Sequence, residues 1–253
     1  MHKDKYHGIK LNPMKEAAKR PVRSAARDDH RHDIEVKCVS KVYNQGKDNE
    51  LKVLKNVTLC LHPGEITTIM GPSGSGKTTL LDIIGCLMRP TSGTVIIDGV
   101  DTQRLSDDEL ARVRREKIGF VFQNFNLITT LTADENVALP MRIAGMGKAQ
   151  ARERAISLLK LVDLENRLGH KPTELSGGEQ QRVAIARALA NNPKIILGDE
   201  LTGNLDSKNS AKVMELLKAL NKTKGYTFVL VTHDPNLKNY ADRTINMADG
   251  EII

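Results

Sequence analysis

The segment Gly71-Pro72-Ser73-Gly74-Ser75-Gly76-Lys77-Thr78-Thr79 constrains this chain more than any other feature. It fits GxxxxGK[ST] and stands where that pattern needs to stand. The β-branched run Glu65 to Met70 precedes it, and a helical period from Lys77 to about Leu87 follows. Glycines let the backbone curl so that successive N–H groups converge on a phosphate chain. The helix N-terminus behind the loop adds partial positive charge. In that frame Lys77 reaches the β- and γ-phosphates of a nucleotide, and the Thr78 hydroxyl is placed to ligate Mg²⁺.

The rest of the chain reads as alternating strands and helices. Ile34 to Val39 alternates like an edge strand, and Val53 to Leu61 alternates similarly. Thr94 to Asp98, Ile118 to Phe122, Ile195 to Leu197 and Thr227 to Val231 are further strands. Residues 133–168, 183–190 and 212–220 read as helical. Arg243 to Ile253 reads as a hairpin turning at Asp249-Gly250. Apolar strands alternating with helices predict a largely parallel sheet covered by helices, an α/β fold.

Ile195-Ile196-Leu197-Gly198-Asp199-Glu200 is an apolar strand ending in two acids. A buried strand of such a sheet delivers its C-terminal residues to the ligand crevice. Asp199 is expected to hold Mg²⁺, and Glu200, on the opposite side of the strand, to orient or deprotonate an attacking water. The octapeptide Leu175-Ser176-Gly177-Gly178-Glu179-Gln180-Gln181-Arg182 is sharper still. Ser176 can cap a helix whose first N–H groups two glycines leave accessible, a second anion site. Two phosphate-binding helix ends in one chain suggest that one serves the nucleotide of another subunit.

Composition removes several classes. Three widely spaced cysteines, Cys38, Cys60 and Cys86, form no CxxC pair, so neither a zinc site nor a disulfide framework is expected. No apolar run is long enough to span a membrane, and the polar N-terminus has no secretory pattern. The net charge of +7 is uneven. Residues 1–32 carry nine Lys or Arg against four Asp or Glu and are expected to be a basic, disordered arm, with weak contact to anionic lipid as one use for it. With 3% aromatic residues, stacking of single-stranded nucleic acid has little support.

The motifs together resemble the nucleotide-binding subunit of ATP-binding cassette (ABC) transporters over about residues 33–253. Residues 71–79 resemble Walker A, residues 175–182 the signature loop, and Asp199 with Glu200 Walker B and its catalytic glutamate. Tyr43 looks like the aromatic that stacks on adenine. Gln123 looks like the Q-loop glutamine that contacts Mg²⁺ and water. Asn204-Leu205-Asp206 resembles the D-loop, and His233 the switch histidine on the γ-phosphate. Gly119 to Leu127, Leu131 to Val137 and Asp199 to Asp206 are similar to the lipoprotein-releasing and macrolide-efflux type.

The resemblance implies a P-loop cassette: a RecA-like mixed sheet core with an antiparallel β subdomain and an inserted helical subdomain at about 124–185. It implies ATP and Mg²⁺, and a head-to-tail dimer in which Ser176, Gly177, Gly178 and Glu179 of one copy meet the ATP on Walker A of the other. It implies catalysis by Glu200, His233, Gln123 and Lys77, with Thr78, Gln123 and Asp199 at the metal. The partner is an integral membrane permease, which places the subunit on the inner face of the cell membrane. Phe125, Leu127, Leu131, Leu139 and Met141 could line a groove for a permease helix. The alternative is a soluble ABC ATPase acting on nucleic acid or ribosomes, for which only the basic arm speaks; nucleic acid is not the expected partner. Leu201 stands where the family usually has proline and Gly198 where it commonly has alanine, so an altered rate is expected.

Overall fold

A computed structural model describes residues 32–253. Of the basic arm expected over residues 1–32, all but His32 lies outside the described residues. The elements in chain order are β1 (Ile34–Tyr43), β2 (Leu51–Leu61), β3 (Ile66–Met70), α1 (Lys77–Ile84), β4 (Ser92–Ile97), β5 (Val100–Asp101) and α2 (Asp107–Lys117). They continue as β6 (Ile118–Val121), α3 (Ala133–Ile143), α4 (Lys148–Leu161), α5 (Gly177–Ala188), β7 (Ile195–Asp199), α6 (Ser207–Lys224), β8 (Thr227–Thr232), β9 (Arg243–Ala248) and β10 (Glu251–Ile252).

Two sheets result. One has four antiparallel strands in the order β2-β1-β4-β5. The other has six in the order β10-β9-β3-β8-β7-β6, parallel except for the terminal β9–β10 pair. Alternation along the parallel strands splits the core in two. Ile69, Ile195, Leu197, Val229 and Val231 join Leu80, Leu81 and Ile84 of α1 and the inner face of the antiparallel sheet. Ile66, Ile196, Phe228 and Leu230 face the other way, into a cluster built from α3 to α6. The phosphate-loop helix is therefore clamped between the sheets.

Several local expectations are corrected. β1 is an inner strand, hydrogen-bonded to β2 on one side and β4 on the other. Its buried residues Ile34, Val36 and Val39 change parity because Cys38 adopts a left-handed φ of 51°, a bulge between the two registers. The helix expected to reach Leu87 stops at Ile84. Gly85 is its cap, and any side chain there would strike the Phe120 ring. The helical stretch 133–168 is broken after Ile143, where Gly145 takes a φ of 92°, and its last part is a short 3-10 turn. Helix α2 was not expected at all. α5 begins at Gly177, earlier than the apolar period, and α6 is longer at both ends.

Candidate functional site

The fully buried strand β3 delivers Gly71 to the head of the loop. A side chain at Gly71 would lie 2.1 Å from the Met247 carbonyl oxygen, so the loop must start on glycine. Gly74 and Gly76 have φ of 80° and 95°, which other residues reach only with strain. Gly76 caps α1, and Lys77 opens it. The Lys77 ammonium, 7% exposed, donates to the carbonyls of Gly71 at 2.9 Å and Pro72 at 2.8 Å, with Ser75 Oγ at 3.5 Å. Lys77 thus rests across the mouth of the loop on weak neutral acceptors. An anionic phosphate would outcompete them, because a charge-assisted bond is roughly twice as strong as one to a neutral acceptor.

The loop and the acidic strand meet at one contact. Thr78 Oγ1 donates to Asp199 Oδ1 at 3.2 Å. Burial pushes the Asp199 carboxyl above its ordinary range; the Thr78 hydrogen bond opposes this, and the neighbouring Glu200 charge adds to it. Asp82 is raised too, by burial and then by Asp199. Asp82 lies one helical turn after Thr78, on the same side of α1. Two half-buried carboxylates and the Thr78 hydroxyl form a hard oxygen environment, in which the Lys77 charge is the smallest of the influences on Asp199. Among the described residues no group of three or more His, Cys, Asp or Glu surrounds a metal position. Mg²⁺ fits such a set, since it is commonly held by one or two protein oxygens together with substrate phosphates.

Glu200 follows directly, with a φ of 49° and its N–H bonded to the Val231 carbonyl at 3.0 Å. Its Oε1 lies 2.8 Å from His233 Nδ1, so the imidazole N–H donates to the carboxylate. His233 is brought there because β8 runs parallel beside β7 and ends one residue earlier, at Thr232. Gln123, just past β6, sits against the loop after Glu200. Asn204 Nδ2 donates to its carbonyl at 3.1 Å, and its side-chain nitrogen lies 3.0 Å from where a Gly203 side chain would begin. Lys77, Thr78, Asp199, Glu200, His233 and Gln123 therefore gather at one edge of the parallel sheet.

Tyr43 and Ser176 make no hydrogen bond with the phosphate loop. Tyr43 ends β1. Its hydroxyl donates to Met88 Sδ at 3.2 Å, and Lys41 Nζ stands 5.3 Å from its ring centre. Neither contact joins it to the phosphate loop. Ser176 caps α5 in a reciprocal box with Glu179. Glu179 Oε2 accepts from the Ser176 N–H at 2.8 Å and its hydroxyl at 2.9 Å. Arg167 holds Glu179 Oε1 at 2.9 Å; this contact first, and then the Ser176 bonds, lower the carboxyl to about 2. Gly178 of the signature has a packing role as well. A side chain there would begin 3.0 Å from Asn209 of α6, whereas one at Gly177 would meet Leu205 at an ordinary contact distance of 3.6 Å.

Sequence reasoning missed Asp82 and Arg167. Asp82 had a signal, its spacing of four from Thr78 on a helix. Arg167 had none, since the turn that carries it has no periodic pattern. The expected groove also changes. Met141 is fully buried, and Phe125 and Leu127 pack against the core of the helical side. Of the expected residues, Leu139 lines an open groove of about 480 Å³ between α2, α3 and α5, together with Phe120, Phe122, Ile128 and Ile143.

The family model described as ABC transporter matches residues 54–203. An ABC transporter ATP-binding protein of Methanocaldococcus jannaschii, MJ0796, is 55% identical over 87% of this chain and 94% of its own length. The macrolide export ATP-binding/permease protein MacB of Escherichia coli is 52% identical over 87% of this chain, which spans 34% of that longer protein. A dimeric post-hydrolysis structure of MJ0796 bound to ADP and Pi superposes with a TM-score of 0.80 and 53% identity, covering 87% of this chain and 96% of that one. The family match spans more than half of the chain and the relatives far more: the chain belongs to the ABC transporter family, as one of its ATP-binding subunits.

Proposed function

We propose that this subunit hydrolyses Mg-ATP between two copies of itself and so drives a membrane permease of the export type. The Thr78–Asp199 contact, with Glu200 and His233 just beyond it, carries the reading. It joins the loop expected to cradle phosphate to the oxygen pair expected to hold the metal, with the expected general base next in sequence. Lys77 would leave its carbonyl acceptors for the β- and γ-phosphates. Thr78 and Asp199 would hold Mg²⁺, which offsets charge on the phosphate oxygens when bound. Glu200 would accept a proton from the attacking water, or orient it, while His233 fixes the carboxylate. Gln123 would line the same space, and Tyr43 would meet the adenine. Catalysis of this kind is positioning and electrostatics rather than covalent chemistry.

The dimer follows from the second helix end. Ser176 and Glu179 hydrogen-bond each other, and Arg167 holds Glu179; none of these bonds is to residues 71–79, so a two-fold partner would bring Ser176, Gly177, Gly178 and Glu179 to a nucleotide. The MJ0796 structure is dimeric and holds ADP and Pi, which supports the same assembly here. No helix among the described residues is long and apolar enough to cross a membrane, and MacB joins its ATP-binding part to a permease in one protein. A separate permease partner supplies that part here and holds the subunit at the membrane's inner face. The groove beside Gln123 is where its cytoplasmic helix would seat.

Glu200→Gln tests the whole reading. The variant should lose at least about a hundredfold in hydrolysis, the scale of a lost general base, while forming a lasting dimer in Mg-ATP. Solubilised in mild detergent with Mg-ATP, it should carry a stoichiometric membrane protein. Normal hydrolysis would remove Glu200 from its role. Recovery of ribosomes or nucleic acid in place of a membrane protein would overturn the transport reading.

A further inference from the structure

The residues flanking Glu200 meet each other. A side-chain carbon at Gly198 would lie 2.8 Å from both Cγ and Cδ1 of Leu201 and 2.9 Å from Cδ2. Leu201 has thus folded back over the end of β7 and fills the space that any residue but glycine would need at 198. It is not free to swing away. Leu201 is 3% exposed and sits in the apolar cluster that also holds Val183, Val213 and Met214. Close-packed interiors resist such a displacement. Between the two lie Asp199, bonded to Thr78, and Glu200, held in a left-handed conformation with its carboxylate on His233. The loop then turns tightly, with the Gly203 N–H on the Glu200 carbonyl at 3.0 Å.

We propose that Gly198 and Leu201 act as one packing pair that positions the Glu200 carboxylate. Leu201 is the positioning residue, and the missing side chain at 198 is the room it requires. The inference rests on Glu200 being the carboxylate that acts on the attacking water. Anything larger than hydrogen at 198 must move Leu201 or the backbone between them, and the backbone between them carries Glu200. Emptying the Leu201 side removes the conflict.

A double-mutant cycle with Gly198→Ala, Leu201→Ala and the pair reads this directly. Gly198→Ala alone should lower kcat by about tenfold to a hundredfold, because an ångström of misplacement costs on that scale. Its KM for Mg-ATP should stay within about twofold, and its ATP-bound dimer should outlive that of the wild type by light scattering. Leu201→Ala alone should lower kcat less. In that background Gly198→Ala should cost under about twofold, since the clash is gone. A purely structural lesion would instead lose ATP binding, dimer and hydrolysis together. If Gly198→Ala does not fold, the Leu201→Ala and double variants decide: equal kcat supports the pair, and a further tenfold drop overturns it. Equal cost of Gly198→Ala in both backgrounds overturns it as well. Glu200→Gln is run beside them. If it hydrolyses ATP normally, the assignment of Glu200 falls and the pair with it. If it is inactive while the cycle shows no coupling, the pair alone falls.

Discussion

Asp82 shows how the site holds charge it does not need in the absence of ligand. Its carboxyl is pushed up first by burial and then by Asp199, so its ionised form is disfavoured in the folded chain. A carboxyl raised on folding subtracts stability above its folded value and ceases to do so once protonated. Asp82→Asn should therefore modestly stabilise the ligand-free protein near pH 7. The gain should vanish as the pH falls into the carboxylate range. The same variant should gain less stability from Mg-ATP than the wild type, because part of the negative charge the cation offsets is gone. Thermal unfolding with and without Mg-ATP at two pH values measures both. A destabilised apo variant would mean that Asp82 is paired in a way its burial and neighbours do not suggest. Glu200 is the complementary case: a non-glycine residue with a φ of 49° at the position proposed as catalytic, and functional sites are where backbone strain commonly collects.

At the level of elements, three helices start with the same reciprocal cap: Ser106 with Glu109, Thr132 with Glu135, and Ser176 with Glu179. Thr132→Ala should cost about 1 kcal/mol in chemical unfolding, the usual worth of such a cap. The Ser176 box differs because Arg167 also holds its glutamate, bringing the carboxyl down to about 2. A carboxyl lowered on folding adds stability above its unfolded value, and the contribution fades as pH falls from about 4.5 toward about 2. Glu179→Gln should flatten the acid side of the stability curve in that window; an unchanged slope would show that the Arg167 pair is not maintained in solution. The caps also mark what could be read in advance. The Ser106-x-x-Glu109 pattern announces α2, yet the helix has one buried side chain, Leu110, so apolar periodicity passes over it. The phosphate loop, the acidic strand and the signature were legible because each is a local pattern in its proper context. The break after Ile143 had a local signal, Gly145 and Gly147, that the helical reading of 133–168 passed over; the inner position of β1 and the Gly198–Leu201 contact had none. They depend on neighbours far apart in sequence, or on one residue filling another's space.

Across the whole molecule, the site and the groove share a piece of chain. Arg187 of α5 donates to the carbonyls of Phe125 at 2.8 Å and of Asn126, both residues in left-handed conformation just after Gln123. Asn204, just after Glu200, donates to Gln123 and to Asn124 from the other side. The segment from Gln123 to Asn126 is thus tied to the turn after Glu200 and to α5, and its far end, Asn126, lines the groove together with Ile128. A helix pressed into the groove bears on both ties at once. Ile143 offers the test, since it lines the groove and is 68% exposed. Ile143→Asp should change folding stability by no more than about 0.5 kcal/mol, as for an ordinary surface substitution, and should abolish recovery of the permease and its effect on ATPase rate. Leu87→Asp is the matched control: an exposed leucine at 49%, outside the groove lining. Equal loss of the permease in both variants, or in neither, would move the docking surface elsewhere. Loss confined to Ile143→Asp would place the partner helix directly against the segment that carries Gln123.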